Sequence, residues 1–198
     1  LKIKKYLEWF IRYRDPKRTG LISILHPWES GYDNSPLWDK PMSMIKTELN
    51  LNYKRKDNKI VDQSQRPLKI DYDRYVTIKN HLKEMNYDPK KLYFKSKFNV
   101  VDVGFNSLFL KALKDMDFLL RCIDKKNSSI RKYILLNESK LVKLFNSKKM
   151  TFMNKDIRNN SLVSIPSITN FFMLFADLKN NSINRSLIKS LRKYNKNN

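Results

Sequence analysis

At 198 residues, 41% of them hydrophobic, the chain is long enough for one domain with a substantial core and is not a disordered tail. Its 41 Lys and Arg against 19 Asp and Glu leave a net charge of +22, a balance that ordinarily points to nucleic acid or an anionic membrane surface. Here the lysines recur with asparagine and isoleucine throughout, as in KKNSS and RKYNKNN, which reads as the bias of an AT-rich coding sequence and a solvated surface rather than a binding footprint.

The opening segment, LKIKKYLEWFIRY, repeats Ile3, Leu7, Phe10 and Ile11 at helical spacing, and Pro16 predicts a helix end at the residue before it. A connector carrying Gly20 leads through the apolar run LISIL into the loop HPWESGYDNSPLWD, residues 26–39. From Pro41 to about Leu49 a short helix is expected, and 50–68 reads as a polar connection. Asp71 to Met85 resumes the helical period through Tyr72, Tyr75, Val76, Ile78, Leu82 and Met85. The clearest amphipathic helix spans 101–125, where Phe105, Leu108, Phe109, Ala112, Leu113, Met116, Leu119 and Leu120 recur at three and four. Cys122 falls inside it and reads as a small core residue with no disulfide framework, compatible with a reducing, cytoplasmic compartment.

SSIRKYILLNESKLVKLF, 128–145, predicts another helix with Ser128 or Ser129 as its N-cap. MTFMN and SLVSI, separated by the polar KDIRNN, predict a small β-hairpin or a pair of extended segments. SIPSITNFFMLFADLK returns to the helical period with Pro166 near the first turn, and a polar, basic helix follows Asp177, ending in a frayed YNKNN. The sum is an all-α chain of helical hairpins packed side by side. No run of 18 apolar residues is present to span a membrane.

The loop at 26–39 carries the chemistry. Trp28 and Trp38 beside carboxylates suit a sugar ring, whose C–H face stacks on an indole while its hydroxyls hydrogen-bond. Glycoside cleavage needs one carboxylic acid to protonate the leaving oxygen and a second carboxylate to activate water or attack directly. Glu29, Asp33 and Asp39 are all candidates, and Gly31 allows a tight bend that aims its neighbours into a cavity. The competing reading is a structural loop, with Asp33 or Asn34 in an Asx turn and both tryptophans in the core.

HPWESGYDNSPLWD closely resembles the HPWESG.DNSP.WD signature of the mannosylglycerate and glucosylglycerate hydrolases, members of the glycoside hydrolase family that also includes the processing α-glucosidases. RPLKIDYDRY at 66–75 resembles that group's RP...DYDRY segment, DVGFNSLFLKALKDMDFL its DPLFN helix, and SIPSITNFFMLFAD its S....LPLFAG pattern. WFIRYRDPKRTGLISI is similar to the lead-in before the signature, so the likeness runs along nearly the whole chain.

The resemblance implies an (α/α)6 toroid, present as one partial catalytic domain over 1–198 with a small β-hairpin insertion and without the first and last helices. It implies inversion, with Asp33 as the general acid, kept protonated near neutral pH by the desolvated pocket. Trp28, Gly31, Tyr32 and Asn34 would line the sugar and glycerate pocket, and the Arg66 fork could grip a glycerate carboxylate in two places. Glu29 is expected to bond the loop backbone and His26 to anchor the loop. No cofactor and no metal are expected: His26 and His81 stand apart without partners, and two carboxylates suffice. The expected partner is a small carbohydrate, with no nucleic acid and no membrane, in an enzyme open to homo-oligomer formation.

Three departures stand out. Tyr32 occupies a position where the group commonly carries methionine, leucine or arginine, FAD replaces FAG at 175–177, and VGFN replaces DPLFN. Members of the group are more than twice this long, with the general base in their C-terminal half. Glu138 is the last glutamate here and matches nothing in the group, so the chain alone is expected to be inactive and to expose faces that further helices cover. The alternatives are a basic helical nucleic-acid-binding module, or a degenerate paralogue that only binds sugar.

Overall fold

The structure, a computed structural model, describes residues 1–57, 61, 62, 64, 66–125 and 128–196, with side chains as far as 192. Helix α1 (Lys2–Arg14) buries Leu7 and Ile11, one turn apart. Asp15, wholly buried, ends it and turns the chain: its carboxylate accepts the N–H groups of Thr19 and Gly20, each at 2.7 Å, and the Tyr133 hydroxyl at 2.9 Å. The following segment, 21–25, runs back through the interior. Its backbone is satisfied without a sheet on one side, because the buried Asn106 side chain accepts from Ile22 N–H at 3.0 Å and donates to Ile22 O at 2.8 Å. On the other side Ile24 bridges Val100 through two backbone bonds of 2.8 and 3.0 Å.

Two short 3-10 turns, Pro27–Ser30 and Pro36–Trp38, carry the chain to α2 (Asp39–Ser43). This helix stops well short of Leu49. The Ser43 hydroxyl donates back to Lys40 O at 2.9 Å, and the Glu48 N–H is taken by Thr77 Oγ1 at 3.1 Å, so residues 44–48 lie along the next helix instead of coiling. Helix α3 (Lys69–Glu84) matches expectation. Helix α4 (Pro89–Lys95) was not anticipated, although Asp88 caps it by accepting Lys90 N–H at 3.0 Å and proline opens it, a legible start signal.

After β1 (Val100–Val101), Asp102 caps α5 (Val103–Cys122) by accepting the Phe105 N–H at 2.7 Å. The buried stripe of α5 includes Asn106, Ser107, Leu110, Leu113 and Met116, while Leu108 and Leu119 face outward. The expected stripe is therefore turned toward its polar edge, because Asn106 pairs with the backbone of Ile22. Cys122 is exposed at the helix end rather than in the core. Helix α6 (Ser128–Val142) begins at the serine pair expected to open it, next to residues 126 and 127, which lie outside the described residues.

The remaining strands are short. β2 (Phe145–Asn146) pairs antiparallel with β3 (Thr151–Phe152), and β4 (Asn154–Asp156) pairs with β5 (Ser161–Val163) and with β1 in the order β1-β4-β5. The expected hairpin is thus β4–β5, with the MTF segment paired backward onto β2. Residues 168–175 coil only as a 3-10 turn, Ile168–Phe171, and α7 (Phe172–Phe175). Ser167 caps that turn, so Pro166 lies directly before the cap, near the first turn. Helix α8 (Asn181–Lys196) follows, taking in most of the expected frayed end, with 197–198 outside the described residues.

Two apolar clusters result. One joins α1, α5, α6 and α8 through Leu7, Ile11, Leu113, Ile130, Leu141 and Leu187; the other lies beneath the 26–39 loop, where Ile24, Trp38, Ile78, Phe98 and Val100 are almost fully buried. Among the described residues no helix is long and apolar enough to cross a membrane.

Candidate active site

The loop is built from its ends inward. Each of its 3-10 turns has proline at the first position and a side chain on the cap: His26 Nδ1 accepts the Trp28 N–H at 3.0 Å, and Ser35 Oγ accepts the Leu37 N–H at 3.3 Å. Because Nδ1 accepts, the imidazole proton sits on Nε2 and is donated to Tyr75 O at 3.0 Å. His26 is 4% exposed, and its burial lowers the pKa from 6.5 to about 4, against smaller opposing pulls from the Tyr75 carbonyl and the Asp33 charge. It is a neutral anchor, as expected.

Glu29 holds the same end from below, accepting Leu25 N–H at 2.8 Å and pairing with Arg14 at 2.6 Å. That is the backbone-bonding role read from the sequence. On the far side of this ion pair, Tyr6, Trp9, Phe10 and Phe105 line a groove of about 660 Å³ that Arg14 and Glu29 also border.

The two tryptophans have opposite fates. Trp38 is 1% exposed, packs edge-on to Phe98, and donates its indole N–H to Tyr32 O at 3.0 Å. Trp28 is 44% exposed and rests against His26, with centroids 4.3 Å apart, and against Tyr75 at 5.9 Å. One indole is core and the other is a displayed face backed by aromatic rings. Gly31 closes the first turn at φ +80°, in the left-handed region, and a Cβ placed there would meet no atom within 4 Å. The glycine answers a backbone demand, and open space lies beside it.

Asp33 and its neighbours are tightly tied. The Asp33 carbonyl accepts the Tyr75 hydroxyl at 2.7 Å, and Asp33 itself is half-buried. Tyr32 turns inward: its ring stacks on Trp38 at 5.7 Å, and its hydroxyl donates to the wholly buried Asp102. Asn34 is exposed at the loop tip. Negative charge collects around Tyr75. Burial first, then Asp33, Asp71 and Asp39, push its phenol well above its ordinary range, so it acts here as a donor. Partial burial and the Asp71 charge also push Asp39 upward, while Asp71 is paired with Arg74 at 2.9 Å.

Arg66 sets Nε on Asp57 at 3.0 Å beside Arg55, and the two guanidiniums, Arg55 foremost, hold that carboxyl well below the usual carboxylate range. Sequence reasoning did not anticipate that Tyr75 supports the loop at Asp33, and it gave Asp102 no role. The signals were a tyrosine one turn after Asp71 and Tyr72 in DYDRY and an Asp directly before an apolar helical run.

Residues 2–197 match the family described as the mannosylglycerate hydrolase MGH1-like glycoside hydrolase domain. A mannosylglycerate hydrolase of Thermus thermophilus is 38% identical over 175 residues, covering 88% of this chain and 42% of the relative. Mannosylglycerate hydrolase MGH1 of Selaginella moellendorffii is 34% identical over 179 residues, covering 88% of this chain and 36% of the relative. The crystal structure of a GH63 mannosylglycerate hydrolase from Thermus thermophilus, in complex with Tris and D-glycerate, superposes with a TM-score of 0.91 at 34% identity, over 96% of this chain and 46% of that one. The chain thus spans less than half the length of the relatives it matches, and its helical hairpins follow the corresponding part of an (α/α)6 toroid. By the span of the family match and by this superposition, the chain belongs to the mannosylglycerate hydrolase MGH1-like glycoside hydrolases.

Proposed function

We propose that these residues form the acid-bearing part of a glycoside hydrolase site that cleaves a small α-glycoside of glycerate, such as mannosylglycerate or glucosylglycerate, with inversion. The observation that carries this reading is the pairing on one rigid loop of a displayed indole, Trp28, with Asp33, both resting on Tyr75. Asp33 gives its proton to the glycosidic oxygen as the C1–O bond breaks and the bonding pair passes to that oxygen. Water forms the new bond at C1 from the opposite face and yields its proton to a second carboxylate.

In this reading the second carboxylate belongs to the part of the relatives' length that this chain does not span. Trp28 stacks on the sugar, Gly31 leaves room for it, Asn34 meets it at the loop tip, and Tyr32 shapes the pocket from behind. Arg66 turns the outer edge of its guanidinium to the glycerate carboxylate while Nε stays on Asp57.

The test is turnover of mannosylglycerate and glucosylglycerate by the longer polypeptide that carries these residues, beside residues 1–198 alone. The longer polypeptide is expected to be active and the short one silent. Asp33→Asn in the longer polypeptide is expected to lower kcat by about 10³-fold or more while ligand affinity stays within about threefold. An Asp33→Asn enzyme that keeps its kcat, or full turnover by 1–198 alone, would refute the assignment.

A further inference from the structure

We propose that Tyr75 and Tyr32 are positioning residues that together fix the direction in which Asp33 presents its carboxyl. This rests on the reading of Asp33 as the acid and adds what aims it. The two phenols grip adjacent residues from different elements. Tyr75, on α3, ties the start of the loop to its middle, since its carbonyl accepts from His26 Nε2 at 3.0 Å while its hydroxyl donates to the Asp33 carbonyl at 2.7 Å. Tyr32 reaches the opposite way, its hydroxyl on Asp102.

Asp102 is an immovable anchor. Wholly buried, it also accepts the Phe105 N–H at 2.7 Å and the Asn154 amide at 2.9 Å, so it joins the first turn of α5 to β4. The approach is close enough that a Cβ on Gly104 would lie 2.6 Å from the Tyr32 hydroxyl. The peptide between the two tyrosines is held as well, with Tyr32 O accepting the Trp38 indole N–H at 3.0 Å and the Ser35 N–H at 3.1 Å. With both flanking carbonyls and the preceding side chain fixed, the Asp33 backbone has no freedom to swing, and only its own χ angles remain. A general acid displaced by about 1 Å loses on the order of 100-fold in rate, so such anchoring carries a kinetic signature.

The experiment compares Tyr75→Phe and Tyr32→Phe in the longer polypeptide, with Tyr133→Phe as control. Tyr133 also gives its hydroxyl to a buried carboxylate, Asp15, but lies under α1 in the other apolar cluster. Each is assayed on mannosylglycerate and on a dinitrophenyl mannoside, whose phenolate departs without needing a proton.

Tyr75→Phe and Tyr32→Phe are expected to lose about 10- to 100-fold in kcat on mannosylglycerate, with KM within about threefold, and to recover to within about threefold of wild type on the activated substrate. Tyr133→Phe is expected to lower the melting temperature while keeping both rates. Should Tyr32→Phe unfold because Asp102 loses its partner, Tyr75→Phe decides, since its lost bond ends on a backbone carbonyl. Unchanged kcat in Tyr75→Phe, or equal losses on both substrates, would overturn the positioning role. An inactive wild type, or an Asp33→Asn variant as active as wild type, would instead sink the acid assignment and this inference with it.

Discussion

Replacing Glu29 tests whether this carboxylate is a strut rather than a second catalytic acid. Its side chain keeps 32% of its surface exposed and its partner Arg14 only 10%. Removing one member of a buried pair costs about 3–5 kcal/mol, because the remaining charge is stranded. Discounting for the exposed side of Glu29, Glu29→Gln should cost about 2 kcal/mol, since the amide oxygen can still accept from Leu25 N–H. Glu29→Ala surrenders that bond too, adding about 1 kcal/mol.

Arg14→Met strands the Glu29 carboxylate instead, at a lower cost of about 1 kcal/mol because that side is partly exposed, and adding Glu29→Gln to it should cost less than about 0.5 kcal/mol more. Urea titrations of the four proteins read the cycle directly. For a domain of this size the 2 kcal/mol step corresponds to about 4–8 °C in Tm. A coupling below about 0.5 kcal/mol would refute the strut, and a kcat loss in Glu29→Gln as deep as that of Asp33→Asn would return Glu29 to the chemistry.

Other outcomes follow from the same geometry. His26 takes up its proton far less readily when folded, so stability is full above its ordinary pKa of 6.5 and drains as pH falls toward about 4, below which the loss levels off. At about 1.4 kcal/mol per pH unit the loss is about 3 kcal/mol, and His26→Gln should flatten that part of the stability profile measured by denaturation between pH 7 and 4. Gly31→Ala should cost about 1 kcal/mol through its backbone angle alone, whereas Gly104→Ala must displace the Tyr32 hydroxyl and should cost about 1–3 kcal/mol with a fall in kcat; calorimetry and turnover separate them. Trp28→Ala should weaken ligand binding about tenfold in titration calorimetry while moving Tm by less than about 2 °C.

The long periodic helices were legible because their apolar positions repeat on one face, and α1, α3 and α5 fall where the pattern puts them. Local pattern fails where a distant partner decides. Residues 44–48 carry no signal that Thr77 will claim a backbone N–H, and the α5 stripe turns because Asn106 serves as a strand-like partner for Ile22. Trp28 and Trp38 show the limit within one loop: the same side chain ten residues apart is a surface in one case and a core in the other, and only the tertiary neighbours distinguish them. Asp33 and its loop could be singled out from the motif, but the carbonyl it offers to Tyr75 is invisible in a string of letters.

Both 3-10 turns are locked before any ligand arrives, by ring-constrained φ angles at Pro27 and Pro36 and by capping bonds from His26 and Ser35. On the proposed function, a sugar docking on this surface meets a preformed mould and need not freeze the backbone as it lands. Its affinity should depend little on temperature-sensitive loop ordering, and its association rate should be set by desolvation of the Trp28 face rather than by a conformational step.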